Sequence, residues 1–443
     1  MQPERFADWI YHPELLAQAV PRYTSYPTAA EFNEQDLAQD QHDALKAVRG
    51  DVSLYLHIPF CHEICWYCGC NTSAANRTAR VASYLDALHC EIVAVSRLLP
   101  PSVRVSRIAF GGGSPNAIQP HELVRLVDAL LVNFRVPWPV FSIELDPRSL
   151  TPAWLTAIRG IGIIKASLGV QTFDPRVQAA IGRVQPRDDI ARAVDGLRTS
   201  GVDSINFDLM YGLPFQDDAV LAQTLDEAAA LGADRIALFG YAHVPHMIAR
   251  QRRIDASELP DQRARFRMAA HGHARLVDAG YQPVGFDHFG KPGDGLAQAA
   301  LAGTLRRNFQ GFTDDQAPVL LGLGSTAISQ FDGAFVQNEK NTGRYRMLAS
   351  AGVLTGRRGT VRSNEDHRRG GVIEALLCRG EAQIDADLRT AALARLAPFA
   401  ARGLIAWDND RLILQRGSEP YARSIAAVFD AYRSGERRFS SAV

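Results

Sequence analysis

Six short segments rich in Val, Ile, Leu and Phe recur along the first 242 residues, at 53–59, 105–111, 140–147, 165–172, 204–212 and 235–242. Their length suits β-strands. Between the first two, Val81, Tyr84, Leu85, Leu88, Ile92, Val95 and Leu99 fall at three- and four-residue steps, which predicts a long amphipathic helix. Helical patterns also follow Pro120, Pro186 and Asp217. Strand–helix alternation repeated six times predicts an α/β fold built from parallel βα units. An open doubly wound sheet and an incomplete barrel both fit that pattern. Glu144, Gln171, Asp208 and His243 each fall at or just past the C-terminal half of a predicted strand. That rim is where ligands bind in both architectures, so these four residues predict one shared site.

The pattern changes after about residue 330. Residues 341–371 are polar and rich in Gly and Arg, which reads as a linker or lid. From 372 onward helices are followed by a hairpin, LIAW-DND-RLIL, an order resembling a winged helix. Residues 371–443 hold ten Arg and no Lys against nine Asp plus Glu, a balance that argues against DNA binding and for a packing domain over the site. The expected division is an N-terminal arm (1–36), a barrel with its extension (37–335), and a linker with a mostly helical C-terminal domain (336–443).

Of the 443 residues, 47% are hydrophobic and 22% charged, which excludes disorder and coiled coil. Basic and acidic residues both number 48, so neither nucleic acid nor an anionic membrane is an expected partner. The N-terminus lacks a basic start followed by an apolar stretch, and no run of about 18 apolar residues occurs. A cytoplasmic, monomeric protein is expected.

The six cysteines are too few for a disulfide scaffold. Four of them, Cys61, Cys65, Cys68 and Cys70, lie within ten residues, whereas Cys90 and Cys378 stand alone and read as inert buried thiols. Thiols packed so closely in a reducing compartment usually hold a metal or cluster. Cys61, Cys65 and Cys68 have C-x3-C-x2-C spacing just after a predicted strand. Three such thiolates suit a [4Fe–4S] cube with one iron left without a protein ligand. The competing reading is a structural zinc site closed by Cys70 or His62. Such sites usually pair two separated C-x2-C knuckles, and no second pair exists here.

The C-x3-C-x2-C loop resembles the signature of the radical S-adenosylmethionine (SAM) enzymes. The longer string YLHIPFCHEICWYCGCNT, with PRYTSYPTAAEF, GVQTFD, DLMYGLP, YAHVP, GFDHF, RRNFQGF and LLGLGSTAIS, resembles the oxygen-independent coproporphyrinogen III oxidase (dehydrogenase) family. These motifs run from residue 21 to about 330. The resemblance implies a partial (βα)6 barrel and two bound SAM molecules, the first chelating the open iron of the cluster. It implies a 5′-deoxyadenosyl radical that takes hydrogen from a substrate propionate. Loss of carbon dioxide and an electron then leaves a vinyl group. Two such events turn coproporphyrinogen III into protoporphyrinogen IX, with an electron donor and acceptor that the sequence does not identify.

Carried over by position, the resemblance places Tyr55, Gly112 and Glu144 at the first SAM. Tyr67, Gly113, Ser114, Gln171, Arg183, Asp208 and Ala242 match second-SAM contacts, and Phe309, Gln310 and Ile328 lie near the nucleosides. Cys70 matches a family cysteine that is not a cluster ligand. The glycine run 111–113 suits a close backbone approach to a ligand. Four propionates need basic partners, for which Arg22, His243, Arg306 and Arg307 are candidates. Residues 21–28, with Tyr and hydroxyl side chains interleaved, pack over the site in the family, though an arm bound only for stability fits equally well. A haem-carrying chaperone and a radical SAM enzyme acting on another tetrapyrrole are the alternatives. Cys70 and the PRYTSYPT segment speak against the chaperone.

Overall fold

A computed structural model describes residues 4–433 of the chain. The six expected strands form at Asp51–Ile58, Arg104–Gly112, Val140–Leu145, Lys165–Gln171, Ser204–Tyr211 and Arg235–Gly240. They pair in parallel and lie side by side in chain order. A doubly wound sheet would reverse its strand order at a switch point, and no reversal occurs among these six. The winding is therefore that of a barrel. It does not close. At one edge Val319–Leu323 adds a parallel strand beside Asp51–Ile58, followed by Ile328–Gln330, Ala334–Asn338, Gly356–Val361 and Asn33–Glu34. At the other edge His288–Gly290 and Gln282–Val284 run antiparallel to the sixth strand. The partial (βα)6 barrel expected from the sequence is thus part of a 13-stranded open sheet.

Why the inner face can hold a site is visible in a single strand. In Ser204–Tyr211, Ile205, Phe207, Leu209 and Tyr211 are buried, while Asn206 and Asp208 alternate with them on the other face. A parallel strand covered by core on both faces would be apolar throughout. The alternation shows that one face meets helices and the other a polar interior.

The expected domain boundary at 335/336 cuts the strand Ala334–Asn338, and residues 341–371 are not a linker. They hold the helix Thr342–Ser350, the sheet strand Gly356–Val361 and the start of the helix Asn364–Arg379. The polar residues that suggested a linker are used internally. Asn341 caps its helix by accepting from the backbone of Gly343 and Arg344. Glu91, buried in the helix Thr78–Ser96, accepts hydrogen bonds from Tyr345 Oη (2.7 Å), Thr355 Oγ1 (2.6 Å), Asn338 Nδ2 (3.0 Å) and the Gly324 amide (2.6 Å). Burial pushes its carboxyl up from the ordinary value, and these donors oppose the shift. Replacing Glu91 with Gln puts an amide donor against donors, and is expected to cost about 2 kcal/mol in a chemical-denaturation measurement.

The C-terminal domain has the expected helix–hairpin order. The helices Asn364–Arg379 and Ala386–Ala400 flank the strand Glu381–Gln383, and the hairpin Ile405–Asp408/Arg411–Leu414 turns at Asn409 and Asp410. The arm lies across both units. Leu16 O accepts from Gln262 Nε2 (3.0 Å) on the barrel side; toward the C-terminal domain, Tyr23 Oη donates to Asp430 (2.9 Å), Tyr26 Oη accepts from the Ala431 amide (2.9 Å), and Tyr421 Oη accepts from the His12 amide (2.9 Å). Cys378 is buried as expected. Cys90 is not: it lies on the outer side of its helix and is exposed. No described helix is long and apolar enough to cross a membrane.

Candidate active site

The loop after the first strand carries Cys61, Cys65 and Cys68 across the C-terminal rim. Its form follows from specific anchors. The Trp66 amide donates to Ile181 O (3.0 Å), and the Trp66 indole stacks under Arg253, 4.3 Å from guanidinium carbon to ring centre. Only glycine fits at 182, where a Cβ would lie 2.5 Å from the indole nitrogen. Gln251, which the sequence reading missed, donates to the carbonyls of Tyr67 and Ala242 (3.0 Å each) and ties the cysteine loop to the end of the sixth strand.

The three cysteines line a cavity of about 190 Å³ with Cys70, Tyr67, Gly112, Gly113, Ser114, Glu144, Gln171, Arg183 and Asp208. Sequence-selected residues from the loop and four strand ends therefore meet in one place. A second cavity of about 320 Å³ fills the barrel below, shares Glu144, Ser167 and Asp208 with the first, and adds Gln310. Phe309 packs edge-on against Tyr55 (4.7 Å between ring centres), and the backbone of Ile328 crosses close over Gly322. His243 lines neither cavity; its Nδ1 sits 2.9 Å from the Tyr241 hydroxyl. Arg306 pairs with Glu374 (2.9 Å), Arg22 with Asp287 (3.4 Å), and Arg307 donates to the carbonyls of Tyr23 and Arg22 (3.0 and 2.8 Å).

Two backbone features aim the site. Gln171 has φ of 69°, a left-handed conformation that costs energy for a non-glycine residue, and the strand register slips between Gly169 and Gln171. The glycine run packs against protein groups: a Cβ at 111 would meet the Glu144 carboxylate (2.7 Å), at 112 the His57 ring (2.6 Å) and at 113 Phe60 O (2.4 Å). The Gly113 amide donates to Ile58 O (2.9 Å). The Gly112 amide donates to Glu144 (3.2 Å).

The electrostatics are divided. Burial, then the charge of Asp208, push the Glu144 carboxyl up to about 7. Burial also raises Asp208, against hydrogen bonds from Ser167 and Asn206. Burial pulls His57 down to about 4, so its ring is neutral at pH 7. Arg183 donates to Cys65 Sγ (3.2 Å) and Gly169 O (2.6 Å) and lies 3.5 Å from Asp146. Burial alone would raise Asp146, another residue the sequence reading did not select, but Arg183 and Arg148 hold it below the usual range.

Whether this pocket suits an iron–sulfur cluster and SAM is a question of donor chemistry. Cys61, Cys65 and Cys68 open onto the same cavity, and three thiols on one wall suit a cluster whose corners each take one cysteine. The free space beside them is walled by the carboxylates of Glu144, Asp146 and Asp208, by Gly112 and Gly113, and by Arg183, which suits a cationic sulfonium bearing ribose hydroxyls and a carboxylate.

Residues 55–228 match the Radical SAM superfamily. An oxygen-independent coproporphyrinogen III oxidase of Bradyrhizobium diazoefficiens is 40% identical, with 96% of this chain and 98% of that protein aligned. The chain belongs to the oxygen-independent coproporphyrinogen III oxidases. The family protein of Escherichia coli is 37% identical over 93% of each chain. A solved structure of the Escherichia coli coproporphyrinogen III oxidase, titled as a radical SAM enzyme, superposes with a TM-score of 0.90 at 35% identity, covering 97% of this chain and all of that one. Membership brings SAM and an iron–sulfur cluster as cofactors.

Proposed function

We propose that this chain oxidises coproporphyrinogen III without oxygen, converting two of its four propionates to vinyl groups with loss of carbon dioxide, and so makes protoporphyrinogen IX for haem biosynthesis. The observation that carries this reading is the meeting of the cysteine loop, Glu144, Gln171, Arg183 and Asp208 in one cavity of a chain that aligns almost end to end with enzymes of that name.

In this reading Cys61, Cys65 and Cys68 hold a [4Fe–4S] cluster, and Cys70 does not. When bound, the cluster and SAM supply one-electron cleavage of the sulfonium and a hydrogen-abstracting carbon radical. The protein's part is placement. Tyr55, Gly112 and Glu144 seat the first SAM, with the carboxylate accepting from its ammonium or ribose hydroxyls. Tyr67, Gly113, Ser114, Gln171, Arg183, Asp208 and Ala242 seat a second. Phe309, Gln310 and Ile328 close over the nucleosides from the barrel's open side. An electron donor and acceptor complete the cycle, and the cytoplasm is the setting.

The test is anaerobic. Reconstituted enzyme given SAM, a strong reductant, an electron acceptor and coproporphyrinogen III should release protoporphyrinogen IX, methionine and carbon dioxide, with the porphyrinogen identified by mass. Methionine release with the tetrapyrrole returned unchanged would refute the substrate. Gln171→Leu removes the polar group that the strained backbone presents to the cavity. It is expected to lower product formation about tenfold at unchanged iron content. Loss of iron would instead assign Gln171 to cluster assembly.

A further inference from the structure

The cysteine loop reaches the surface at Gly69, Cys70 and Asn71, all three exposed. The Cys70 amide donates to Cys68 Sγ (3.4 Å), so this stretch covers one thiol of the trio from outside. Basic segments flank it on both sides. Arg250 Nη2 donates to Cys70 O (3.4 Å), and Asn71 Nδ2 donates to Lys340 O (3.2 Å). On the first side, residues 246–253 (HMIARQRR) hold three Arg and no acid. That segment sits directly on the loop: a Cβ at Gly69 would lie 3.2 Å from Ile248 Cδ1, and Arg253 covers the Trp66 ring. On the second side, Arg80 Nη2 donates to Thr342 Oγ1 (3.0 Å), two residues beyond Lys340.

Little of this charge is neutralised within the chain. Among the described residues Arg80, Arg250, Arg252, Arg253 and Lys340 form no ion pair. The acids on the loop and its flanks are engaged: Glu63 pairs with Arg148 (2.9 Å), Glu339 with Arg344 (3.4 Å), and Asp255 accepts from Ser257 Oγ (2.6 Å). Glu34 acts on Lys340 from the edge strand Asn33–Glu34, and the charge of Arg358 opposes it more strongly. Arg252 and Lys340 are exposed, and Met247, 61% exposed, adds an apolar point to the first flank. Arg and Met are enriched where proteins meet. A chain with equal numbers of acids and bases has no net charge to attract an anionic partner, so attraction falls to a local face such as this one.

We propose that the basic flanks of the Cys68–Asn71 stretch are the docking face of an acidic one-electron carrier protein that reduces the cluster. The inference rests on the reading above in which Cys61, Cys65 and Cys68 hold that cluster. One electron leaves the carrier, which is oxidised, and reduces the cluster; no bond forms or breaks and no proton moves. Such an exchange needs only a small, transient contact, held by charge and released by salt.

The probe is a plant-type [2Fe–2S] ferredoxin, an acidic carrier of low potential. Calorimetry gives the Kd of its oxidised form for the reconstituted enzyme, and methionine release measures SAM cleavage driven by its reduced form. Photoreduced 5-deazariboflavin, a small uncharged reductant, drives the same cleavage without docking. Arg252→Glu and Lys340→Glu are each expected to weaken the ferredoxin Kd and slow ferredoxin-driven cleavage about tenfold at low salt, with the gap from wild type closing at high salt. Cleavage driven by deazariboflavin stays at the wild-type rate. Arg135→Glu, an exposed site whose carbonyl accepts from the Val105 amide at the opposite end of the barrel strands, keeps wild-type values throughout. Ferredoxin that does not bind the wild type, or that binds and drives both variants as it does the wild type, would overturn the docking face. So would an equal loss in Arg135→Glu or with deazariboflavin. Wild-type protein that cleaves no SAM with deazariboflavin would overturn the cluster reading instead.

Discussion

Cys65→Ala is expected to purify as a folded protein that binds less than one full cluster of iron and shows no turnover. Cys65 is the middle ligand of the proposed trio and 6% exposed, against Arg183 Nη1 at 3.2 Å. Removing its sulfur leaves two thiolates at the cavity mouth, too few to fix a cube with one open corner. The fold should survive. The loop is held by the Trp66 amide bond to Ile181 O, the Trp66–Arg253 stack and the Gln251 bridges, none of which uses the Cys65 thiol. Iron and acid-labile sulfide, visible absorption and methionine release measure the outcome, with circular dichroism as the check on folding. Cys90→Ala is the matched control, because Cys90 is exposed on a remote helix and should retain wild-type iron and activity. A Cys65→Ala protein that keeps its iron and its turnover would remove the ligand set on which the proposed chemistry stands.

Much of this site was legible because its chemistry is concentrated in local motifs. The C-x3-C-x2-C spacing and the polar residues at strand ends need only strand periodicity to be placed, and Glu144, Gln171 and Asp208 meet as that periodicity implies. His243 had the same positional signal and lies elsewhere, because the chain turns away after Gly240 and Tyr241 captures its ring. Gln251 and Asp146 carried no signal. Their roles come from contacts with Tyr67 and Arg183, distant in sequence, that no local pattern encodes. The barrel was legible only as one of two windings, since strand order is a property of long-range pairing. The misread segment 341–371 shows the same limit from the other side. Polar, Gly-rich sequence looks like a linker until a buried acceptor such as Glu91 gathers its donors.

Glu144→Gln is expected to separate binding from stability in opposite directions. In the protein without ligand, burial and the neighbouring Asp208 lift the Glu144 carboxyl from its ordinary 4.5 to about 7. A group whose pKa is raised by folding contributes stability that is complete below about 4.5 and disappears as the pH climbs through about 7. Above that, the folded state carries an ionised carboxylate at a cost of about 3 kcal/mol. Gln carries no such cost. The variant should therefore match wild type in Tm at pH 5 and melt a few degrees higher at pH 8. SAM reverses the balance, because its cationic groups neutralise the charge that destabilises the empty site. Wild-type affinity for SAM should rise with pH through about 7, as the carboxylate forms. The variant should bind SAM about 10- to 100-fold more weakly at pH 8, with that pH dependence gone. Thermal melts and equilibrium SAM binding at the two pH values measure both halves. A Tm difference that does not change between pH 5 and pH 8 would show that Glu144 is not the titrating group. A variant whose SAM affinity still rises through neutrality would place the recognition of SAM on another carboxylate, with Asp208 the next to test.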